Sequence, residues 1–292
     1  MTALTVLHAL VMVGGRLFAG GPNTNAVDAY VPYAQNPPPL RQITNGLFAP
    51  TGMAVDGHGN LYVCNNAGQS LGFGTKGFWT VTVYTRHGST PFRTYTNGVW
   101  NPVDVAVAAD GTTYVANFGS HVVTVYPSHS INPSKMLVAP PNSSPLGIAF
   151  DSAGRVYVSY VLRSGGAGSI YVYNASQTHG KNIGIAFSGE PHGIALDARN
   201  NLIVAVSKAP GSGSDVEVYP PGAKQPSLRL PGPFQPFMLT LDPNGNRLYV
   251  ADYGSGNNDG GVWVFSYPSG RQLYKDTQGT AAGAYGVAFD PR

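Results

Sequence analysis

Side chains able to do chemistry are sparse in this sequence and fall at a few recurring positions. Asp104, Glu190 and His192 stand at or beside the start of an apolar strand, while Asn65, Asn117 and Asp252 each follow a strand of the Tyr-Val-x type. Carboxylate and amide oxygens suit hard cations such as calcium, and an imidazole suits zinc. A metal centre would therefore draw on Asp104, Glu190, His192, Asn117 and Asp252. His192 alone does not make a zinc site, which needs three or four protein ligands. The stretch "GSGNNDGG", residues 254–261, is rich in oxygen donors but lacks the closing bidentate Glu of a calcium loop. No Gly-x-Ser-x-Gly elbow is present, and the Gly-rich "RSGGAGS" lacks the Lys-Ser/Thr ending of a phosphate loop. Asn142-Ser-Ser and Asn174-Ala-Ser match glycosylation acceptors, which matter only in a eukaryotic secretory setting.

Each of these residues also has a plain structural reading. Short polar side chains after a strand bond nearby backbone and fix the exit turn, which fits Asn65, Asn117 and Asp252. A lone His at a strand start fits a hydrogen-bonded wall residue. Asp56, Asp151, Asp197, Asp242 and Asp290 recur at one repeat position and read as turn residues, the unit with Ala108 doing without. Tyr30, Tyr84, Tyr126, Tyr173 and Tyr219 recur at the end of another strand and read as packing between units.

The elements that position these residues form a repeat. "PTGMAVDGHGNLYV" from Pro50, "PVDVAVAADGTTYV" from Pro102, "PLGIAFDSAGRVYV" from Pro145, "PHGIALDARNNLIV" from Pro191, "PFMLTLDPNGNRLYV" from Pro236 and "AYGVAFDPR" from Ala284 share one pattern. They recur at steps of roughly 43 to 52 residues, the period of a four-stranded propeller blade. Each holds an apolar strand, an Asp-x-x-Gly turn and a returning strand, and a third strand ending in an aromatic comes later. The inner strands read as continuous apolar runs, as expected of sheets covered on both faces. Third strands begin at "AVDAY", before any Pro50-type unit, and first strands end at Ala284. The C-terminal strand therefore completes a blade begun by "RLFAG", "AVDAY" and "LRQIT", which removes the open edge of the array. The expected fold is all-β, a six-bladed β-propeller of four-stranded antiparallel blades, closed by pairing the C-terminal strand with the N-terminal blade. It is a single domain over residues 14–292, preceded by an apolar segment, 1–13, that is a leader remnant or an extra strand. A seventh blade follows if that segment adds a first strand of its own.

"TYVANFGSHVVTVY" and "LYVADYGSG" resemble the YVTN-type repeat. Pro-x-Gly-apolar-Ala-apolar-Asp-x-x-Gly followed by "LYV" resembles the NHL repeat and the gluconolactonase-like propellers. The gluconolactonase-like resemblance implies calcium or zinc held near the strand starts, polarising a lactone carbonyl or activating water. Here the strand starts are mostly apolar. NHL-type amidating lyases resemble this chain at "PHG", where His192 alone matches their channel histidines. The resemblance carries fold more firmly than function, because one architecture hosts many activities.

In an antiparallel blade the start of strand one and the end of strand two share a face beside the central channel. The ligand-binding candidates on that face are Thr51, Asn65, Asp104, Asn117, Tyr160, His192, Phe237, Asp252 and Tyr285. Charged residues are only 11% of the chain and the net charge of +3 is scattered, which argues against nucleic acid. The apolar run from Leu4 to Val13 is too short to span a bilayer as a helix. Cys64 is the sole cysteine, so no intrachain disulfide holds the fold. The sequence thus points to a monomeric, cofactor-free binding module, extracellular, periplasmic or on the cell surface, that takes a carbohydrate, peptide or protein ligand. The alternative is a lactonase or hydrolase dependent on calcium or zinc.

Overall fold

The computed structural model describes residues 15–66, 79–208, 213–255 and 259–292. Segment 1–13, most of the loop after Asn65 and the middle of the 254–261 loop lie outside the described residues. The chain opens with β1 (Arg16–Gly21), β2 (Ala26–Tyr30) and β3 (Arg41–Ile43). Blade 1 is β4 (Pro50–Val55), β5 (Leu61–Asn66), β6 (Trp79–Tyr84) and β7 (Arg93–Tyr95). Blade 2 is β8 (Pro102–Val107), β9 (Thr113–Asn117), β10 (Val122–Tyr126) and β11 (Lys135–Val138). Blade 3 is β12 (Ser143–Phe150), β13 (Val156–Leu162), β14 (Ser169–Tyr173) and β15 (Lys181–Asn182). Blade 4 is β16 (Glu190–Leu196), β17 (Leu202–Ser207), β18 (Asp215–Tyr219) and β19 (Leu228–Pro231). Blade 5 is β20 (Pro236–Leu241), β21 (Arg247–Asp252), β22 (Gly261–Ser266) and β23 (Gln272–Asp276). A short 3-10 turn, Gly279–Gly283, then leads into β24 (Gly286–Asp290).

The closing strand completes blade 6 in the order β24-β1-β2-β3. Phe18 pairs with Ala288 and Ala19 with Val287, so the tail lies antiparallel to the head. The first strands β4, β8, β12, β16, β20 and β24 each touch the next, and β24 touches β4. The ring therefore has six blades, all antiparallel, as the repeat predicts. Apolar side chains of neighbouring blades interlock into the core, for example Phe18, Val27 and Ile43 of blade 6 with Leu61, Val63 and Tyr84 of blade 1. The recurrent tyrosines sit at these seams. Tyr30, Tyr84, Tyr126 and Tyr173 donate their hydroxyls to Gln278, Asn45, Asn97 and Val138 carbonyls, each belonging to the preceding blade. Tyr219 instead donates to Glu217 on its own strand.

Two local devices set the first strands. At the outer end, Asp56, Asp151, Asp197 and Asp242 each accept backbone N–H groups of the turn that follows. Where Ala108 breaks that series, Asp110 accepts the Thr112 N–H in its place. At the channel end, the anchor prolines Pro50, Pro102, Pro145, Pro191 and Pro236 pair with Asn65, Asn117, Tyr160, Val206 and Asp252, and register shifts right after each proline. A bulge re-aims the side chains it carries, and here it turns the residue after each proline into the channel mouth. The glycine that follows lets neighbouring first strands close up. A Cβ on Gly147 would lie 2.6 Å from the His192 carbonyl oxygen, and one on Gly193 would lie 2.5 Å from that of Phe237.

Candidate functional site at the channel mouth

Thr51, Val103, Leu146, His192, Phe237 and Tyr285, one from each blade, line a single pocket of about 710 Å³. Its floor is a stack of three rings from adjacent blades. His192 lies over Phe237 with ring centres 4.7 Å apart and planes 16° apart, and Phe237 lies over Tyr285 at 3.8 Å and 22°. Tyr253 meets Phe237 edge-on at 6.2 Å and donates its hydroxyl to Asn23, 3.1 Å away. The walls add Asn66, Asn101, Gln235 and, from the "YVLRSGGAGS" loop, Arg163 and Gly165.

Hydrogen bonds between blades hold this floor in place. Thr51 Oγ1 donates to the Pro102 carbonyl at 3.0 Å, and the Met238 N–H donates to the Tyr285 carbonyl at 3.2 Å. His192 Nδ1 is 3.0 Å from the Pro236 carbonyl oxygen, which can only accept, so Nδ1 carries a proton. Its Nε2 lies 3.4 Å from Glu190 Oε2, a contact that becomes an ion pair only when the ring holds a second proton.

Asp104 lies below the mouth. It occupies the position that is glycine in "PTG", "PLG" and "PHG", and lines a channel cavity of about 210 Å³ beneath the ring stack. Its Oδ2 accepts the Ile148 N–H of the next blade at 2.9 Å. Burial raises its pKa to about 8 against the lowering effect of the Ile148 and Val105 N–H groups. Asp104 thus stitches blade 2 to blade 3.

The polar residues at the ends of the second strands turn away from the pocket. Asn65 and Asn117 accept the N–H groups of Phe48 and Trp100 at 2.9 and 2.8 Å, and their amide groups donate to Thr82 and Thr124 on the next strand. Asp252 accepts from the N–H groups of Phe234, Gln235 and Gly254 and from Trp263 Nε1. Tyr160, fully buried, bonds through its hydroxyl to that of Tyr173 at 2.6 Å. Of the nine proposed ligand-binding residues, Thr51, His192, Phe237 and Tyr285 come together at the pocket. Asn65, Asn117, Tyr160 and Asp252 lie in blade interiors and Asp104 in the channel.

Five residues were the proposed source of a metal centre. Only Glu190 and His192 share the pocket, and the oxygens of Asn117 and Asp252 are committed to backbone donors. Among the described residues no three His, Cys, Asp or Glu side chains gather around one point. The donor set does not fit a calcium or zinc ion.

The sequence reading passed over a second repeat. "GLFAP", "GVWNP" and "GPFQP" place an aromatic two residues before the anchor proline in blades 1, 2 and 5. Phe48, Trp100 and Phe234 there are 43%, 48% and 50% exposed. These three turns are the ones whose N–H groups are held by Asn65, Asn117 and Asp252. Blades 3, 4 and 6 have Ser143, Gly189 and Ala282 at that position and Tyr160, Val206 and Gly21 at the strand end.

No family model matches this chain, and no curated protein matches it. Solved structures do. A chain from a nidogen/laminin complex matches with a TM-score of 0.71 at 17% identity, covering 94% of this chain and 98% of that one. A chain of hydrazine synthase from Kuenenia stuttgartiensis matches at 0.64 and 14%, covering 94% and 86%. A protein of unknown function from Bacteroides caccae matches at 0.67 and 12%, covering 94% and 98%. At these identities the likeness is one of fold. The chain is a six-bladed β-propeller. No helix among the described residues is long and apolar enough to cross a membrane.

Proposed function

We propose that this propeller is a non-catalytic binding module, exported or surface-associated, of the NHL and YVTN repeat type, that presents its channel face to a carbohydrate, peptide or protein ligand. The observation that carries this reading is the convergence of one residue from every blade on a single mouth pocket, floored by stacked rings and bordered by neutral amides. Large concave sites with aromatic walls and a few polar groups are the usual form of a ligand site. The neighbour from the nidogen/laminin complex is a propeller in a protein assembly, which agrees with a binding role. The alternative, a metal-dependent lactonase of the gluconolactonase-like type, has only the Glu190–His192 pair to draw on at the pocket wall, two donors where a zinc site needs three or four. Elemental analysis of the purified protein, with lactone hydrolysis assays, separates the two. The binding-module reading expects neither stoichiometric metal nor turnover. Stoichiometric calcium or zinc that is lost in His192→Ala or Asp104→Asn, accompanied by lactone turnover, overturns it.

A further inference from the structure

Among the described residues four large aromatics are exposed, and three of them, Phe48, Trp100 and Phe234, stand on turns whose next residues, Ala49, Asn101 and Gln235, line the mouth pocket. Each turn is fastened by a buried Asn65, Asn117 or Asp252 side chain, which also ties the turn to the neighbouring strand through Thr82, Thr124 or Trp263. Trp100 is further seated, its ring 4.4 Å from that of Trp79 and lying across Gly119, where a Cβ would come within 2.3 Å of it. Trp79 and Trp100 thus form an aromatic pair beside the mouth, with the Trp100 ring 48% exposed. Inside them, the pocket wall carries the amides of Asn66, Asn101 and Gln235. The Oδ1 atoms of Asn66 and Asn101 are buried without a hydrogen-bond donor among the described residues, a cost that native structures seldom leave standing.

We infer that the mouth is a binding site for a neutral carbohydrate, an inference that rests on the binding-module reading above. A sugar ring offers an apolar C–H face to an aromatic ring and hydroxyls that both donate and accept, which is what planar amides require. The charge of the lining points the same way. Among the described lining residues, Arg163 and Glu190 are of opposite charge and His192 is the remaining ionisable base, so this part of the wall gathers no cluster of positive charge for an anionic glycan or nucleic acid. An extended peptide that joins a sheet needs a free strand edge, and the mouth presents strand ends and turns. The volume, about 710 Å³, falls inside the range of sites that engulf small molecules.

The test is a panel of neutral oligosaccharides derived from glucan, mannan, xylan and chitin, screened on the full chain, with the best binder followed by titration calorimetry. Trp100→Ala and Gln235→Ala are compared with Phe92→Ala, an exposed aromatic at a different groove, next to Asp56 and Arg93. Melting curves confirm that all three fold. Binding weakened at least ~tenfold by the first two substitutions and unchanged by the third is the expected result. The inference is overturned by the absence of any neutral-sugar binding, by binding restricted to acidic glycans, or by binding that survives Trp100→Ala and Gln235→Ala. Capture of a peptide or protein on this face without sugar binding would overturn it too, while leaving the binding-module reading intact. Metal-dependent lactone turnover would remove both.

Discussion

Asp252→Ala is the substitution whose consequence follows most directly from the geometry. The carboxylate is 1% exposed and its two oxygens divide four donors. Oδ1 takes the N–H groups of Gln235 at 2.7 Å and Gly254 at 3.1 Å; Oδ2 takes that of Phe234 at 3.1 Å and Trp263 Nε1 at 2.8 Å. A hydrogen bond to a charged group contributes ~1.5–3 kcal/mol net, and a buried donor left without an acceptor costs ~1–3 kcal/mol. Simple addition overstates the loss, because Phe234 and Trp263 lie near solvent and water can replace part of what is removed. A destabilisation of ~3–4 kcal/mol is expected for alanine. Asparagine keeps one accepting oxygen and presents an N–H₂ to the other two donors, so Asp252→Asn should cost about half as much. Urea denaturation followed by far-UV circular dichroism measures both, with melting temperature expected to fall by roughly 6–10 °C for alanine in a chain of this size. A loss below ~1 kcal/mol for alanine would refute the claim that this residue fastens the Phe234 turn.

Three further outcomes follow from the same structure. Asp104, with its pKa raised by burial to about 8, binds a proton in the folded chain over a range where the unfolded chain has released it. Stability therefore falls as pH rises from about 4 to about 8, by up to ~4 kcal/mol between pH 5 and pH 8, and levels off above. Asp104→Asn should flatten that melting profile; an unchanged slope above pH 6 refutes the assignment, since Asp276, raised to about 6, acts with the same sign at lower pH. Gly147→Ala drives a Cβ into the His192 carbonyl and should destabilise by ~2 kcal/mol or more, whereas Gly57→Ala, with nothing within 4 Å, should be nearly silent; equal melting temperatures for the two variants would contradict the close approach of first strands. Deleting residues 286–292 removes β24 and leaves β1 paired only to β2, with its channel-side edge open, so cooperative melting should disappear; a sharp transition in the truncated chain would mean that the ring does not depend on its clasp.

The sequence by itself determined the fold and its closure. Pro-x-Gly anchors, Asp-x-x-Gly turns and aromatic strand ends repeat at blade length, and a first-strand series offset from a third-strand series leaves one way for the ends to meet. Residue type is enough there, because each blade is local and each turn satisfies its own backbone. The six mouth positions were also legible, since a strand start fixes which face a residue occupies. What a polar side chain does at that face was legible as two alternatives, ligand or turn-holder. For Asn117 and Asp252 the residue type allows both, and the tertiary structure decided for the turn by supplying the Trp100 and Gln235 N–H groups. Asp104 sits within two residues of the mouth, yet the bulge after Pro102 places it in the channel, bonded across to blade 3. The stack of His192, Phe237 and Tyr285 likewise joins residues that share no sequence neighbourhood. Such outcomes depend on distances between blades, and those are set by how glycines let neighbouring first strands approach, a property of the closed ring rather than of any one repeat.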